Sequence, residues 1–407
     1  MHLDALTTFK YSRSIFDALL KQDKRARFVG GCVRDVLLNR EVTDVDIGTA
    51  LHPDEIEKIF NHSKRIKIKC IGKDYGTIII IIRDHIYEIT TLRKDVHTDG
   101  RYAVVEYTDD WEEDASRRDL TINAMSYSPI ENKLYDYFNG QNDLEAGLIK
   151  FIGDPNKRVK EDYLRILRLF RFYTYYGKTI DPPSLVACAK HAENICRLSK
   201  ERKMKELYRI ISHERYIGTL VLMAKHGILE YISTLPDWHS GIKLCKQLDK
   251  VCPLHGQESS AILKIFTLFQ GDNLAPSRIT KEFITLSKKD KDYIIKLSRF
   301  VNSTTLNNVI NKPYHSLYYH REALIDGILY LMAKRPRKVD LNRIINMLKY
   351  KVPTFPVTGD ELMLAIGLRP GKKLGKAIEV AKDFWIASKF KATKKDVIDH
   401  MKLSKDF

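Results

Sequence analysis

Cysteine patterns that hold metals are missing from this 407-residue chain. Six cysteines occur, at positions 32, 70, 188, 196, 245 and 252, and none forms a C-x-x-C pair. That excludes the common zinc spacings. Scattered thiols fit a reducing compartment. The 13 histidines form neither H-E-x-x-H nor a His-Asp dipeptide, which leaves zinc-protease and metal-phosphohydrolase readings without support. Long apolar runs are missing too. The longest, T-I-I-I-I-I at 77–82, falls far short of the ~20 residues a membrane helix needs. The opening residues MHLDALTTFKYSRS have no apolar core of signal-peptide type, so a cytoplasmic protein is expected, with a processed organellar form as the alternative. No low-complexity segment and no repeat is visible.

What is present reads as globular. Hydrophobic residues make up 44% of the chain and charged residues 30%, and the length calls for two or more domains. The formal charge of +17 is unevenly spread. Residues 1–150 hold 22 Lys+Arg against 26 Asp+Glu, and residues 151–407 hold 47 against 26. An acidic first part followed by a strongly basic second part suggests that the second part meets a polyanion.

The chain changes character near Ile152. Before it, an amphipathic helix over 4–22 precedes strand-like runs at 27–29, 45–48, 66–71, 76–82 and 86–90. Helices are expected after Gly31 and after Pro53. From Asp154 onward the apolar spacing is helical almost throughout. Weak breaks fall near Asp181-Pro182-Pro183, Cys252-Pro253 and Pro353–Pro356.

Two motifs carry the first chemical signal. In F-V-G-G-C-V-R-D at 28–35, Gly30 and Gly31 let the backbone approach a ligand closely at the start of a helix, and Arg34 is placed to clamp phosphate. In T-D-V-D-I at 43–47, Asp44 and Asp46 project from the same face of a strand. Two such carboxylates repel each other unless a cation lies between them, and magnesium favours a few carboxylates plus phosphate oxygens. Each motif alone is weak. A Gly-Gly turn is usually only a turn, and an isolated D-x-D is usually a solvated strand edge.

Taken together they are specific. Gly-Gly, then Arg34, then Asp-x-Asp ten residues on resembles the head of the nucleotidyltransferase superfamily that includes polymerase β. The string GGCVRDVLLNREVTDVDIGT closely resembles motif A of the class II tRNA nucleotidyltransferase and bacterial poly(A) polymerase family. Further segments resemble that family's motifs: E-D-A-S-R-R-D-L-T-I-N-A at 113–124, Y-D-Y-F-N-G-Q-N-D-L at 135–144 with I-G-D-P at 152–155, E-D-Y-L-R-I-L-R-L-F-R-F at 161–172, and L-S-K-E-R-K-M-K-E-L at 198–207. The match is dense over 25–215, thinner to 355, and resumes over 355–392.

The resemblance implies an α+β chain: a polymerase β-like head with a mixed sheet, then an all-helical neck, body and tail. The expected limits are 1–152 for the head, 153–215 for the neck, 216–300 for the body and 301–407 for a tRNA-binding tail. Implied metal ligands are Asp44 and Asp46, holding Mg2+, with Glu88 a candidate third carboxylate. Implied nucleotide contacts are Gly30, Gly31, Arg34, Arg117, Arg118, Asp119, Asn123, Asp162, Arg165, Arg168 and Arg171. Asp119 and Asn123 are expected as i, i+4 neighbours on a helix. Asp162, Arg165, Arg168 and Arg171 are expected on one helical stripe, with Leu164, Leu167 and Phe170 buried opposite.

The implied activity is addition of C, C and A to the 3′ end of tRNA from CTP and ATP, with neither DNA nor a membrane as partner. Family members that add only C lack a flexible head loop, and the charged stretch Arg93–Trp111, with Asp99-Gly100 as its turn, is expected to be that loop. I-G-K-D-Y-G-T at 71–77 resembles the CCA-adding form. A poly(A) polymerase or A-adding enzyme is the alternative. More distant is a non-catalytic RNA-binding protein with a dead head, which would be expected to have lost Asp44 or Asp46.

Overall fold

Five short runs rich in isoleucine, valine and threonine between residues 27 and 91 form strands because branched side chains suit a pleated, half-buried surface. The computed structural model describes all residues other than 1, 2, 4, 23–24, 62–64, 99–102, 283–284, 336–338 and 405–407. The chain divides into two compact units, Met1–Ser233 and Thr234–Phe407.

The first unit opens with helices α1 (Ala5–Thr8) and α2 (Ser12–Leu20). The single helix expected over 4–22 is broken at Tyr11, whose φ of +62° is left-handed. Breaking there lets Ile15, Phe16 and Leu19 turn into the core. Next come β1 (Arg27–Val29), α3 (Gly31–Leu37), β2 (Val45–Thr49) and α4 (Pro53–Phe60). The start of α4 is fixed by a capping box between His52 and Glu55, with Pro53 at the first helical position. The strands β3 (Ile66–Gly72), β4 (Thr77–Ile82) and β5 (His85–Thr91) follow. On β4, Ile78, Ile80 and Ile82 are buried and alternate with half-buried neighbours, the period of two expected of a strand.

The stretch expected as a loop is instead an antiparallel hairpin of β6 (Arg93–Thr98) and β7 (Ala103–Tyr107). The β-branched and aromatic residues of A-V-V-E-Y favour a strand, and Lys94 Nζ lies 3.2 Å from Glu106 Oε2 across the pair. The Asp99-Gly100 turn lies outside the described residues. Then come α5 (Trp111–Ser116), β8 (Ser126–Ser128) and β9 (Lys133–Tyr135). The main sheet has the order β3-β4-β5-β2-β1-β8-β9. Its β2–β5 pair is parallel and its other pairs are antiparallel, so the sheet is mixed, as expected.

Helices take over from there: α6 (Gly140–Ala146), α7 (Pro155–Glu161), α8 (Leu164–Tyr176), α9 (Pro182–Lys190) and α10 (Lys200–Ile211). Asp181 caps α9 through Ser184 N at 3.0 Å, so the Pro-Pro break is a helix start.

Every element in Thr234–Phe407 is helical among the described residues. Close packing there depends on small residues. A Cβ at Gly327 would stand 2.0 Å from the Phe300 ring. Trp385, 1% exposed, packs edge-on to Tyr318, Phe355 and Phe390. Pro253 sits in the last turn of the helix Trp238–Leu254 rather than in a linker. No helix among the described residues is long and apolar enough to cross a membrane.

Candidate active site

β1 delivers the chain to Gly30, whose φ is +69°. A Cβ at this position would stand 2.8 Å from Arg118 Nη1, so both conformation and space demand glycine. One turn into α3, the side chain of Arg34 is buried and held on three sides. Its Nη1 donates to Asn123 Oδ1 at 2.5 Å, its Nη2 to the Tyr176 hydroxyl at 2.8 Å, and its Nε to Asp35 Oδ1 at 3.0 Å.

Asp44 precedes β2 and Asp46 lies within it. The parallel pairing of β2 with β5 sets Asp46 directly beside Glu88. Burial, then the Glu88 charge, pushes the Asp46 carboxyl up to about 6. Asp44 adds to the rise, while Arg118 and Arg34 oppose it. Asp44 and Glu88 are exposed. Among the described residues no three His, Cys, Asp or Glu side chains gather closely enough to hold a metal ion by themselves. Glu88 is a neighbour of the Asp46 carboxylate across the β2–β5 pair.

The arginines are set by buried acids. Asp114, 3% exposed, accepts from Arg117 Nη2 at 2.7 Å, from Arg118 Nη2 at 3.2 Å and from the Arg93 backbone N–H at 3.2 Å. Although burial pushes it up, the Arg118 and Arg117 charges hold its carboxyl below the usual carboxylate range. Asp119 is likewise buried. The charge and hydrogen bond of Arg168, at 2.6 Å, outweigh its burial and hold it well below that range. Asn123 Nδ2 donates to Asp119 Oδ1 at 3.1 Å, but not across a helix turn. The helix α5 ends at Ser116, and only a 3-10 turn, Thr121–Asn123, follows.

The stripe expected along 162–171 is also redrawn. Asp162 lies outside α8, in extended backbone after α7, where its Oδ1 accepts from Leu164 N at 3.0 Å and its Oδ2 from Arg202 Nη2 at 2.7 Å. Arg165 Nη1 donates to Glu161 at 2.5 Å. Arg171 turns away to Glu206 at 2.5 Å on α10. At about 100° per residue, a spacing of three drifts round a helix, whereas Arg165, Phe172 and Tyr176 stay aligned. Leu167 and Phe170 are buried as expected, and Leu164 is half-buried.

A cleft of about 480 Å³ gathers the sequence-selected residues other than Asp44, Glu88 and Asp162, and adds Phe172 to its wall. Sequence reasoning placed Asp114, Arg202 and Glu206 inside family motifs without singling them out, and did not mark Tyr176 at all. Only Asp114 left a local signal, its i, i+3 and i, i+4 spacing to Arg117 and Arg118.

A strand-borne acidic edge joined to a wall of six arginines defines an enzyme that handles phosphorylated substrates, a nucleotidyltransferase. Comparison with known proteins agrees. Residues 26–150 match the family described as "Poly A polymerase head domain", and residues 177–240 the one described as "Probable RNA and SrmB- binding site of polymerase A". The mitochondrial CCA tRNA nucleotidyltransferase 1 of Mus musculus is 30% identical over 96% of this chain and 89% of its own length. The CCA-adding enzyme of Bacillus velezensis is 27% identical over 94% of this chain and 95% of its own. The crystal structure of the Bacillus stearothermophilus CCA-adding enzyme in complex with CTP shares the fold, with a TM-score of 0.77 at 23% identity over 97% of this chain and 96% of that one. The chain belongs to the family of class II CCA-adding enzymes and poly(A) polymerases, as an enzyme with CCA tRNA nucleotidyltransferase activity.

Proposed function

We propose that this chain adds C, C and A to the 3′ end of tRNA from CTP and ATP, using Mg2+ at Asp44 and Asp46 and choosing the base with Asp162 and Arg165. The observation that carries the reading is the single cleft in which Asp46, Arg34, Arg117, Arg118 and Arg165 meet. The acidic edge fits magnesium. Asp46 is pushed up to about 6 beside Glu88 and Asp44, a repulsion a cation would relieve. A site with two protein carboxylates leaves room for the waters and phosphate oxygens magnesium keeps. When bound there, the metal ions supply charge neutralisation at the attacking and leaving oxygens.

Arg34, Arg117 and Arg118 grip the triphosphate. The terminal hydroxyl of the RNA attacks the α-phosphorus, a new P–O bond forms, and pyrophosphate leaves. Gly30 keeps the backbone close, because any side chain there would displace Arg118. The basic segment beyond residue 151 supports phosphate contacts to tRNA, with the helical tail as its principal platform.

Base choice follows from donor and acceptor order. Cytosine and adenine both present an amino donor beside a ring acceptor, and a carboxylate with a guanidinium complements that order. Uracil and guanine reverse it. In the described form Asp162 carries Arg202, and Arg165 carries Glu161, so a correct base must take both over. A wrong base leaves buried groups unpaired at roughly 1–3 kcal/mol each. The test uses tRNA lacking its 3′ end with each nucleotide triphosphate. The parent enzyme completes CCA with CTP and ATP, and Arg165→Ala admits UTP or GTP. An Arg165→Ala enzyme that is slow yet equally selective removes the template reading. Failure of the parent to add C removes the CCA reading.

A further inference from the structure

The helix α8 touches Arg34 by two routes, and together they close a ring. On one side Arg34 donates to Asn123, which donates to Asp119, which accepts from Arg168 of α8. On the other, Arg34 Nη2 donates to the hydroxyl of Tyr176, the last residue of the same helix, at 2.8 Å. Two cations also lie against the Tyr176 ring. The Arg34 guanidinium carbon lies 4.2 Å from its centroid and that of Arg40 lies 4.6 Å away. Arg40 additionally donates to the Tyr175 carbonyl oxygen at 3.0 Å. The ring of Phe172, one turn back, stacks on Tyr176 at 5.9 Å.

We propose that Tyr176 is a positioning residue for Arg34, tying the arginine that grips the triphosphate to the helix that carries the base-reading Arg165. The inference rests on the reading of Arg34 as a triphosphate ligand. Arg165 and Tyr176 are eleven residues apart, ~16 Å along the axis and within ~20° of one another around it. A rigid helix therefore presents one end to the base and the other to Arg34. Asp35 and Asn123 fix the guanidinium within the head. The Tyr176 hydroxyl is the direct hydrogen bond through which its orientation depends on where α8 lies.

The test compares Tyr176→Phe, Arg34→Lys and the double variant in single-nucleotide addition to tRNA, using the full chain. Tyr176→Phe keeps the ring against both arginines, so the fold should hold. We expect a KM for CTP and for ATP raised about tenfold, equivalent to about 1.4 kcal/mol, with kcat and the KM for tRNA within about twofold. In the Arg34→Lys background the same change should add little, because the contact it removes is already lost. Tyr176→Leu, which also frees Arg40, should raise the nucleotide KM further. A Tyr176→Phe enzyme with the parent's nucleotide KM overturns the proposal. So does an effect of undiminished size in the Arg34→Lys background, which would mean a general structural role. If Arg34→Lys itself leaves the nucleotide KM unchanged, it is the assignment of Arg34 to the triphosphate that fails.

Discussion

Replacing Asp114 with alanine should cost the enzyme both stability and nucleotide affinity. The carboxylate is 3% exposed and accepts from Arg117, Arg118 and the Arg93 backbone. Bonds to charged groups are worth ~1.5–3 kcal/mol each, but a sum over them overshoots, since partners recover water once released. The Arg117 and Arg118 side chains are 16% and 21% exposed, so rehydration is partial. Breaking a buried pair by removing one partner costs about 3–5 kcal/mol, and partial rehydration places this case near 3 kcal/mol. Asp114→Asn keeps an acceptor and should lose about half as much. Urea denaturation followed by circular dichroism measures the first effect.

Steady-state kinetics measures the second: with both arginines unclamped, the KM for CTP and ATP should rise at least about tenfold, roughly 1.4 kcal/mol of lost binding. The pH dependence has a definite sign. Because the folded carboxyl lies below its ordinary value, the unfolded chain binds the extra proton. Stability from this group is present above the unfolded pKa of about 3.9 and disappears as pH falls through the folded value. An Asp114→Ala protein within 0.5 kcal/mol of the parent, a threshold set by ordinary surface substitutions, would falsify the clamp. A destabilised one with unchanged nucleotide KM would separate the clamp from catalysis.

Other outcomes follow from the same geometry. Asp44→Ala and Asp46→Ala should each abolish transfer while tRNA binding persists, as judged by filter binding beside the addition assay. Residual turnover near the parent's contradicts the metal assignment. Since Asp46 titrates at about 6 without metal, Mg2+ must displace a proton below that pH. Calorimetric affinity should fall about tenfold per unit beneath pH 6 and level off above it, whereas a flat profile means Asp46 is not a ligand. Deleting residues 96–104, the outer part of the β6–β7 hairpin, should spare C addition more than A addition, and equal loss of both points to a destabilised head. Raising salt from 50 to 200 mM should weaken tRNA binding by at least about 100-fold through counterion release. A shallow dependence would show that the basic charge beyond residue 151 does not contact phosphate.

How far the sequence carried depended on range. The strands β1 to β5 and the start of α4 were legible because alternation, Pro53 and the His52–Glu55 cap act over a few residues. The clustering of Gly30, Asp46 and Arg118 was legible through family resemblance. Partner choice was not. Arg34 meets Tyr176 across 142 positions, and Asp162 meets Arg202 across 40, separations at which no periodicity speaks. The helix expected at 119–123 failed because Asp119 is drawn to Arg168, and tertiary pairing there overrides local propensity. The Arg93–Trp111 stretch was read by its charge rather than by the β-branched and aromatic residues of its second half, so a hairpin was missed. Tyr11 breaks a helix whose amphipathic spacing gave no warning, since only the left-handed turn aligns both halves with the core.

The pairing of the cleft arginines bears on what a cation would add at this site. Arg34 faces Asp35, Arg117 and Arg118 share Asp114, Arg165 faces Glu161, Arg168 faces Asp119 and Arg171 faces Glu206. Each of the six thus engages a carboxylate, and Glu161 and Glu206 are shared further with Arg158 and Arg209, so the positive charge of the wall is partly offset rather than cancelled. Burying unpaired guanidinium groups would have cost far more than this arrangement. The consequence is that a triphosphate entering the cleft competes for arginines already engaged rather than finding free positive charge. Exchange of that kind discriminates well, because only a ligand offering oxygens at several arginines together offsets the contacts it breaks. It also leaves much of the triphosphate charge uncompensated beside Asp44, Asp46 and Glu88, three carboxylates without an arginine partner among the pairs above. Positive charge from outside the chain would be most favourable at the acidic edge, where Asp46 already resists ionisation. A divalent cation held by Asp44 and Asp46 would supply that charge, so the paired arginines and the acidic edge would act as two halves of one electrostatic solution.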